Sequence, residues 1–159
     1  MRNPDGSLFR AIQSNCTCPS VRIAECDKDN VSIQVLSTVP GSGFNYERKA
    51  ENALRVAKFL NDHIAEVVRD GGGRFLALGT IPMQNVDMAI AELRRCVVEL
   101  DMVGVQIGSH ICGKSLDDPI YEPLWEEIVK LDCCCFVHPW DMSTADRVQK
   151  YWFPWLVQS

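Results

Sequence analysis

Apolar residues recur along this chain in two rhythms: short β-branched runs, and longer stretches with apolar positions three or four residues apart. Val31-Ser32-Ile33-Gln34-Val35-Leu36 is a β-branched run closed by Ser37-Thr38-Val39-Pro40 and by glycines at 41 and 43, which predicts a strand ending in a turn. Residues 47 to 68 carry apolar positions at 50, 54, 57, 60, 64 and 67 or 68, the spacing of one helical face. Phe75 to Gly79 reads as a strand ending at Thr80-Ile81-Pro82. Val86, Ile90, Leu93, Val97 and Leu100 then step by 4, 3, 4 and 3, which predicts a one-faced amphipathic helix. Val103 to Ile107 is a further strand ending in Gly108. Asp118-Pro119 offers an N-cap and first helical residue for a helix through Leu131, with Ile120, Leu124 and Ile128 inward. Cys133-Cys134-Cys135-Phe136-Val137 is continuously apolar, which predicts a strand buried on both faces. Pro139 ends it, because proline donates no ladder hydrogen bond. Ser143 caps a last helix holding Val148, Trp152 and Leu156. Before this series, Leu8 to Ile12 reads as a short strand and Val21 to Asp27 as a short helix.

Strands starting near 31, 74, 103 and 133 alternate with helices, the pattern of βαβ units and a parallel sheet. No sequence repeat accompanies the rhythm and no long linker interrupts it, so residues 1–159 are expected to form one domain. The strands end at Ser37-Thr38, Thr80, Gly108-Ser109-His110 and His138. Polar side chains thus gather at the carboxyl ends, where α/β folds bind ligands. His138 is an imidazole fixed at such an end. Its position suits a metal ligand or catalytic group, and equally a hydrogen-bonded core histidine.

Composition narrows the function classes. A formal charge of −5 with no cluster of Lys and Arg argues against a nucleic-acid partner. No apolar run approaches the roughly 18 residues of a membrane span, and Met1-Arg2-Asn3-Pro4-Asp5-Gly6 lacks the apolar core of a signal peptide. A soluble, cytosolic protein is expected. The eight cysteines fit no C-x-x-C zinc pattern and no secreted disulfide spacing. Adjacent thiols of a strand point to opposite faces, so Cys133, Cys134 and Cys135 cannot converge on one metal. Reduced cysteines acting as small buried hydrophobes are expected, least firmly for Cys16, Cys18 and Cys26.

Val137-His138-Pro139-Trp140-Asp141-Met142 followed by Lys150-Tyr151-Trp152-Phe153-Pro154-Trp155-Leu156 resembles the metal-dependent decarboxylases of the amidohydrolase superfamily. Phe9-Arg10, Val35 to Pro40, Leu78 to Gln84 and Gly104 to Gly108 carry the same resemblance, in the same order, over about Gly6 to Val157. It implies an α/β fold, a (β/α)8 TIM barrel of the metal-dependent hydrolase type, present here as a partial barrel. It also implies a bound zinc and a non-oxidative decarboxylation of 2-amino-3-carboxymuconate 6-semialdehyde. That dicarboxylate semialdehyde arises in tryptophan catabolism and otherwise closes to quinolinate, the precursor of NAD. Residue by residue, the resemblance implies that His138 is a zinc ligand, that Arg10 binds a substrate carboxylate and that Trp155 contacts substrate. Asp141 either bonds the second ring nitrogen of His138 or caps the loop after it. His110 and His63 have no such role; the first reads as a loop residue and the second as surface.

The family also uses a His-x-His pair, a further acid/base histidine and a late aspartate. The only histidines here are His63, His110 and His138, so no His-x-His is present. A complete barrel takes about 250 residues, and a partial chain of the enzyme, inactive alone, is expected. Between Val39-Pro40 and Glu47 the family's tryptophan is missing, and Phe44 and Tyr46 are the aromatics. That departure leaves open a sister decarboxylase acting on another carboxylic acid. The family works as a homodimer in which a neighbouring subunit's arginine reaches the substrate. A non-catalytic chain that pairs with intact subunits, and an independent open α/β binding domain, are the competing readings.

Overall fold

The computed structural model describes residue 7 and residues 11–39 and 46–139. The principal elements are α1 (Pro19–Lys28), β1 (Gln34–Leu36), α2 (Ala50–Asp70), β2 (Phe75–Thr80), α3 (Val86–Arg94), β3 (Gly104–Gly108), β4 (His110–Ile111), β5 (Lys114–Ser115), α4 (Glu122–Lys130) and β6 (Cys134–His138). β1, β2, β3 and β6 pair in that order, all parallel. Strand order follows chain order with no reversal, as in the wall of a (β/α) barrel; a doubly wound sheet would reverse at a switch point.

The register assigns the two faces. Thr80 pairs with Gln106, Gln106 with Phe136, and Gly108 with His138, so these side chains share the inner face, together with Val35, Leu76 and Leu78. Ala77, Gly79, Val105, Ile107 and Cys135 point the other way, toward the helices. There Leu93 and Ala89 of α3 and Leu124 and Ile128 of α4 close over Val105 and Ile107 in the main core. A second cluster of Ala77, Cys96 and Met102 packs beneath Ile64, Ala65 and Val68 of α2. The strand contacts are tight enough to demand glycine at one point. Gly104 has φ +156°, and a Cβ there would run into the carbonyl oxygen of Cys134 on β6.

Several expectations need correction. The strand at 31–36 is confined to Gln34–Leu36, and no strand forms at Ala11 or Ile12; residues 8–10 lie outside the described residues. The helix of residues 86–100 divides, because α3 ends at Arg94 and Arg95–Glu99 form a wider π-turn, with Leu100 N–H donating to the Arg95 carbonyl. Asp118 does cap, accepting the Ile120 N–H at 3.0 Å, but it starts a 3₁₀ turn over Pro119–Tyr121 before α4 begins. Ile120 is therefore not inward; it is 50% exposed. The β4–β5 hairpin escaped the periodicity because each strand has two residues. β6 is not buried on both faces. It is the last strand of the described sheet, and Phe136 and Val137 are 48% and 45% exposed. The cysteines are free thiols as expected, yet Cys16, Cys112 and Cys134 are exposed rather than packed. The helix expected after Ser143 lies outside the described residues.

Candidate active site

The carboxyl ends of the four parallel strands lie along one edge of the sheet, and the polar side chains at the ends of β1, β2 and β3 are tied to one another. Thr38, two residues beyond β1, places its Oγ1 2.7 Å from Thr80 Oγ1 at the end of β2. Gln106 of β3 donates from Nε2 to the Thr38 carbonyl at 3.0 Å. All three side chains are buried. From the helix layer, Asn61 of α2 accepts the Thr80 N–H at 2.8 Å and donates to the Thr80 carbonyl at 2.9 Å. Its amide nitrogen also lies 2.8 Å from Glu92 Oε1. Arg95 grips both oxygens of Glu92, at 3.0 and 2.7 Å. The Glu92 bonds and charge raise the Arg95 pKa, so the guanidinium remains fully charged.

His138 occupies the ligand-facing end of β6. Its backbone is locked to β3, because the Ser109 N–H donates to the His138 carbonyl at 2.9 Å. Tyr46 braces the same end from the other side, its buried hydroxyl accepting the Gly108 N–H at 2.8 Å. Burial pushes the Tyr46 phenol above its ordinary pKa, so it stays neutral there. The imidazole is half-buried, with Nδ1 2.7 Å from the Pro139 carbonyl oxygen. A carbonyl can only accept, so Nδ1 carries the hydrogen and the neutral ring's lone pair resides on Nε2. This is the tautomer in which metal-bound histidines are held by a backbone carbonyl.

The donor set fits a metal in part. His138 is a residue type that can ligate a metal, but no cluster of three His, Cys, Asp or Glu side chains that could hold one exists among the described residues. His110 is turned toward Ser109, its Nδ1 3.3 Å from Ser109 Oγ, and His63 is exposed on α2. Arg10, Asp141 and Trp155 lie outside the described residues. The structure therefore joins Thr38, Thr80 and Gln106 by hydrogen bonds and sets His138 on the same inner face of the sheet. Asn61 and the Thr38–Thr80 contact were not anticipated. Position 61 follows Ala57 by four and precedes Ile64 by three, so a polar residue on the apolar stripe of α2 was the available signal.

A parallel sheet in barrel order, with a histidine at a strand's carboxyl end, is the arrangement of a (β/α) barrel of the metal-dependent hydrolase type. The amidohydrolase family matches residues 38–151, and the chain belongs to that family. It is 53% identical over 153 residues to the 2-amino-3-carboxymuconate-6-semialdehyde decarboxylase of Dictyostelium discoideum, covering 96% of this chain and 42% of that protein. The namesake enzyme of Caenorhabditis elegans is 33% identical, over 96% of this chain and 50% of its own length. Among solved structures, a dihydroxybenzoic acid decarboxylase from Polaromonas, with bound manganese and the inhibitor 2-nitroresorcinol, superposes with a TM-score of 0.73 at 27% identity. It covers 82% of this chain and 42% of that one. The chain thus spans about half the length, or less, of the curated relatives it matches. Among the described residues no helix is long and apolar enough to cross a membrane.

Proposed function

We propose that the protein carrying this chain is a zinc-dependent, non-oxidative decarboxylase of 2-amino-3-carboxymuconate 6-semialdehyde, in the cytosolic branch of tryptophan breakdown that limits quinolinate. The 53% identity to the Dictyostelium decarboxylase supports the substrate. The single structural observation behind the reading is the His138 tautomer at the carboxyl end of β6. Residues 1–159 contribute one partial barrel domain to the enzyme, which works as a homodimer.

His138 would serve through Nε2 as one ligand to the zinc, which when bound would supply Lewis-acid chemistry at this end of the sheet. The Pro139 carbonyl fixes the imidazole and strengthens it as a donor. Gly108 and Tyr46 hold the adjacent end of β3, so His138 cannot swing away from the sheet edge. Arg10 binds a substrate carboxylate through its guanidinium fork, Trp155 packs on the planar substrate, and Asp141 orients the His138 loop.

The test compares the full-length protein with its His138→Ala variant, reading metal content by elemental analysis and decarboxylation by loss of substrate absorbance. Loss of both zinc and activity is expected. Unchanged zinc occupancy in the variant overturns the ligand assignment. A wild-type protein that releases CO2 from dihydroxybenzoates but not from the semialdehyde overturns the substrate.

A further inference from the structure

β1 and β2 part after Leu36 and Ala77, their last paired residues. Beyond that point Asn61 does what the missing strand neighbour would do. Its side-chain amide satisfies both backbone groups of Thr80, at 2.8 and 2.9 Å, and it is wholly buried. Glu92 holds the amide and Arg95 holds Glu92, so Thr80 is anchored from behind. In front, the Thr80 hydroxyl meets that of Thr38 at 2.7 Å.

Two hydroxyls carry two hydrogens, and a hydrogen bond between them uses one. The second hydrogen has no acceptor among the described residues, although leaving a buried donor unmatched is costly. Thr38 is the more open partner, 8% exposed against 2% for Thr80. Either hydroxyl can donate within the pair, and Thr38, the more open of the two, is the one placed to present the surplus O–H at the ligand-facing end. A hydroxyl that already accepts a bond is a polarised donor, and its strongest acceptor is an anionic oxygen. The inner-face positions Val35, Leu76, Leu78, Thr80, Gln106, Phe136 and His138 include no carboxylate that would repel one.

We propose that the Thr38 hydroxyl binds a carboxylate oxygen of the substrate, with Thr80 and Asn61 as positioning residues that hold it in place. The inference rests on the decarboxylase reading for its ligand class. Thr80 lies one residue layer beneath His138 and two strands away, so the subsite and the metal ligand face the same space from different heights. A dicarboxylate can reach both.

The experiment titrates the full-length protein with isophthalate, a planar dicarboxylate that does not react, and separately measures KM and kcat. Thr38→Val is expected to weaken isophthalate about tenfold, as loss of one hydrogen bond to a charged group does, and to raise KM with kcat little changed. Thr38→Ser restores binding, and Thr38→Ala replaces the valine variant should that fail to fold. Asn61→Ser gives the same rise in KM, and combining it with Thr38→Val adds nothing further, which a general loss of stability would not produce. A folded Thr38→Val protein that binds isophthalate like wild type overturns the subsite. Independent, additive effects of Asn61 and Thr38 overturn the positioning role. Thr38-dependent isophthalate binding without decarboxylation by the wild type leaves the subsite standing and defeats the proposed function instead.

Discussion

Replacing Arg95 with alanine separates a buried ion pair from an ornamental one. The Glu92 side chain is fully buried and that of Arg95 is 18% exposed. Glu92 Oε1 receives Asn61 Nδ2 at 2.8 Å and Arg95 Nη2 at 2.7 Å, while Oε2 receives Arg95 Nε at 3.0 Å. Arg95→Ala leaves a carboxylate without its counter-charge in the core, with one neutral amide still donating to it. Breaking a buried pair in this way costs about 3–5 kcal/mol, and the surviving Asn61 bond places the loss near ~3 kcal/mol. The loss lowers Tm relative to wild type. Urea titration followed by far-UV circular dichroism reads it as a lower midpoint with unchanged slope. The double variant Glu92→Gln/Arg95→Ala removes the stranded charge and keeps the acceptor that Asn61 uses, so it is more stable than Arg95→Ala alone. A cost for Arg95→Ala below about 1 kcal/mol, the worth of a surface pair, refutes the reasoning. So does a double variant no more stable than the single one.

Gly104→Ala cannot keep the β3–β6 ladder, since its Cβ would occupy the Cys134 carbonyl oxygen; amide exchange across Val105–Gly108 and Cys134–His138 rises together, and retained protection there contradicts the clash. Under native conditions Cys16 is alkylated first, while Cys96, buried with its thiol pushed up to about 12, and Cys135, pushed up to about 11, react only after denaturation; mass spectrometry of pulse-labelled protein ranks them. Glu127 has its carboxyl held below the ordinary 4.5 by hydrogen bonds and charge from Arg94. Its contribution is therefore present above pH 4.5 and is lost as pH falls through the lowered folded-state value, so Glu127→Gln flattens the acid limb of a stability–pH curve and leaves its neutral region less stable.

The alternation of strand and helix was legible because it is written locally. The apolar spacing of residues 50 to 68 and of 86 to 94, and the β-branched or apolar runs at 75–80 and 104–108, each declare their own element. What joins elements was not legible. Asn61 contacts Thr80 and Glu92, which are 19 and 31 residues away, and nothing in the composition of α2 names those partners. The same holds for Tyr46 and Gly108, separated by 62 residues. His138 stood out through its motif, but its tautomer depends on one backbone carbonyl whose direction follows from the turn at Pro139.

β6 shows what kind of information the apolar pattern carries. Cys133 to Val137 is composed like a central barrel strand, yet in the described sheet it is the outermost one, and Phe136 on the inner face and Val137 on the helix-side face are both about half exposed. A side chain of that size gains about 25 cal/mol for each Å² of apolar surface removed from water. A long apolar edge also invites pairing with another strand. Such a composition is stable where both faces and the free edge are covered from outside the described residues. The relatives make the same point from another direction, since this chain aligns with 42% of the Dictyostelium decarboxylase. The composition of β6 is thus that of an inner barrel strand, while the described sheet leaves it outermost with both of its faces half exposed.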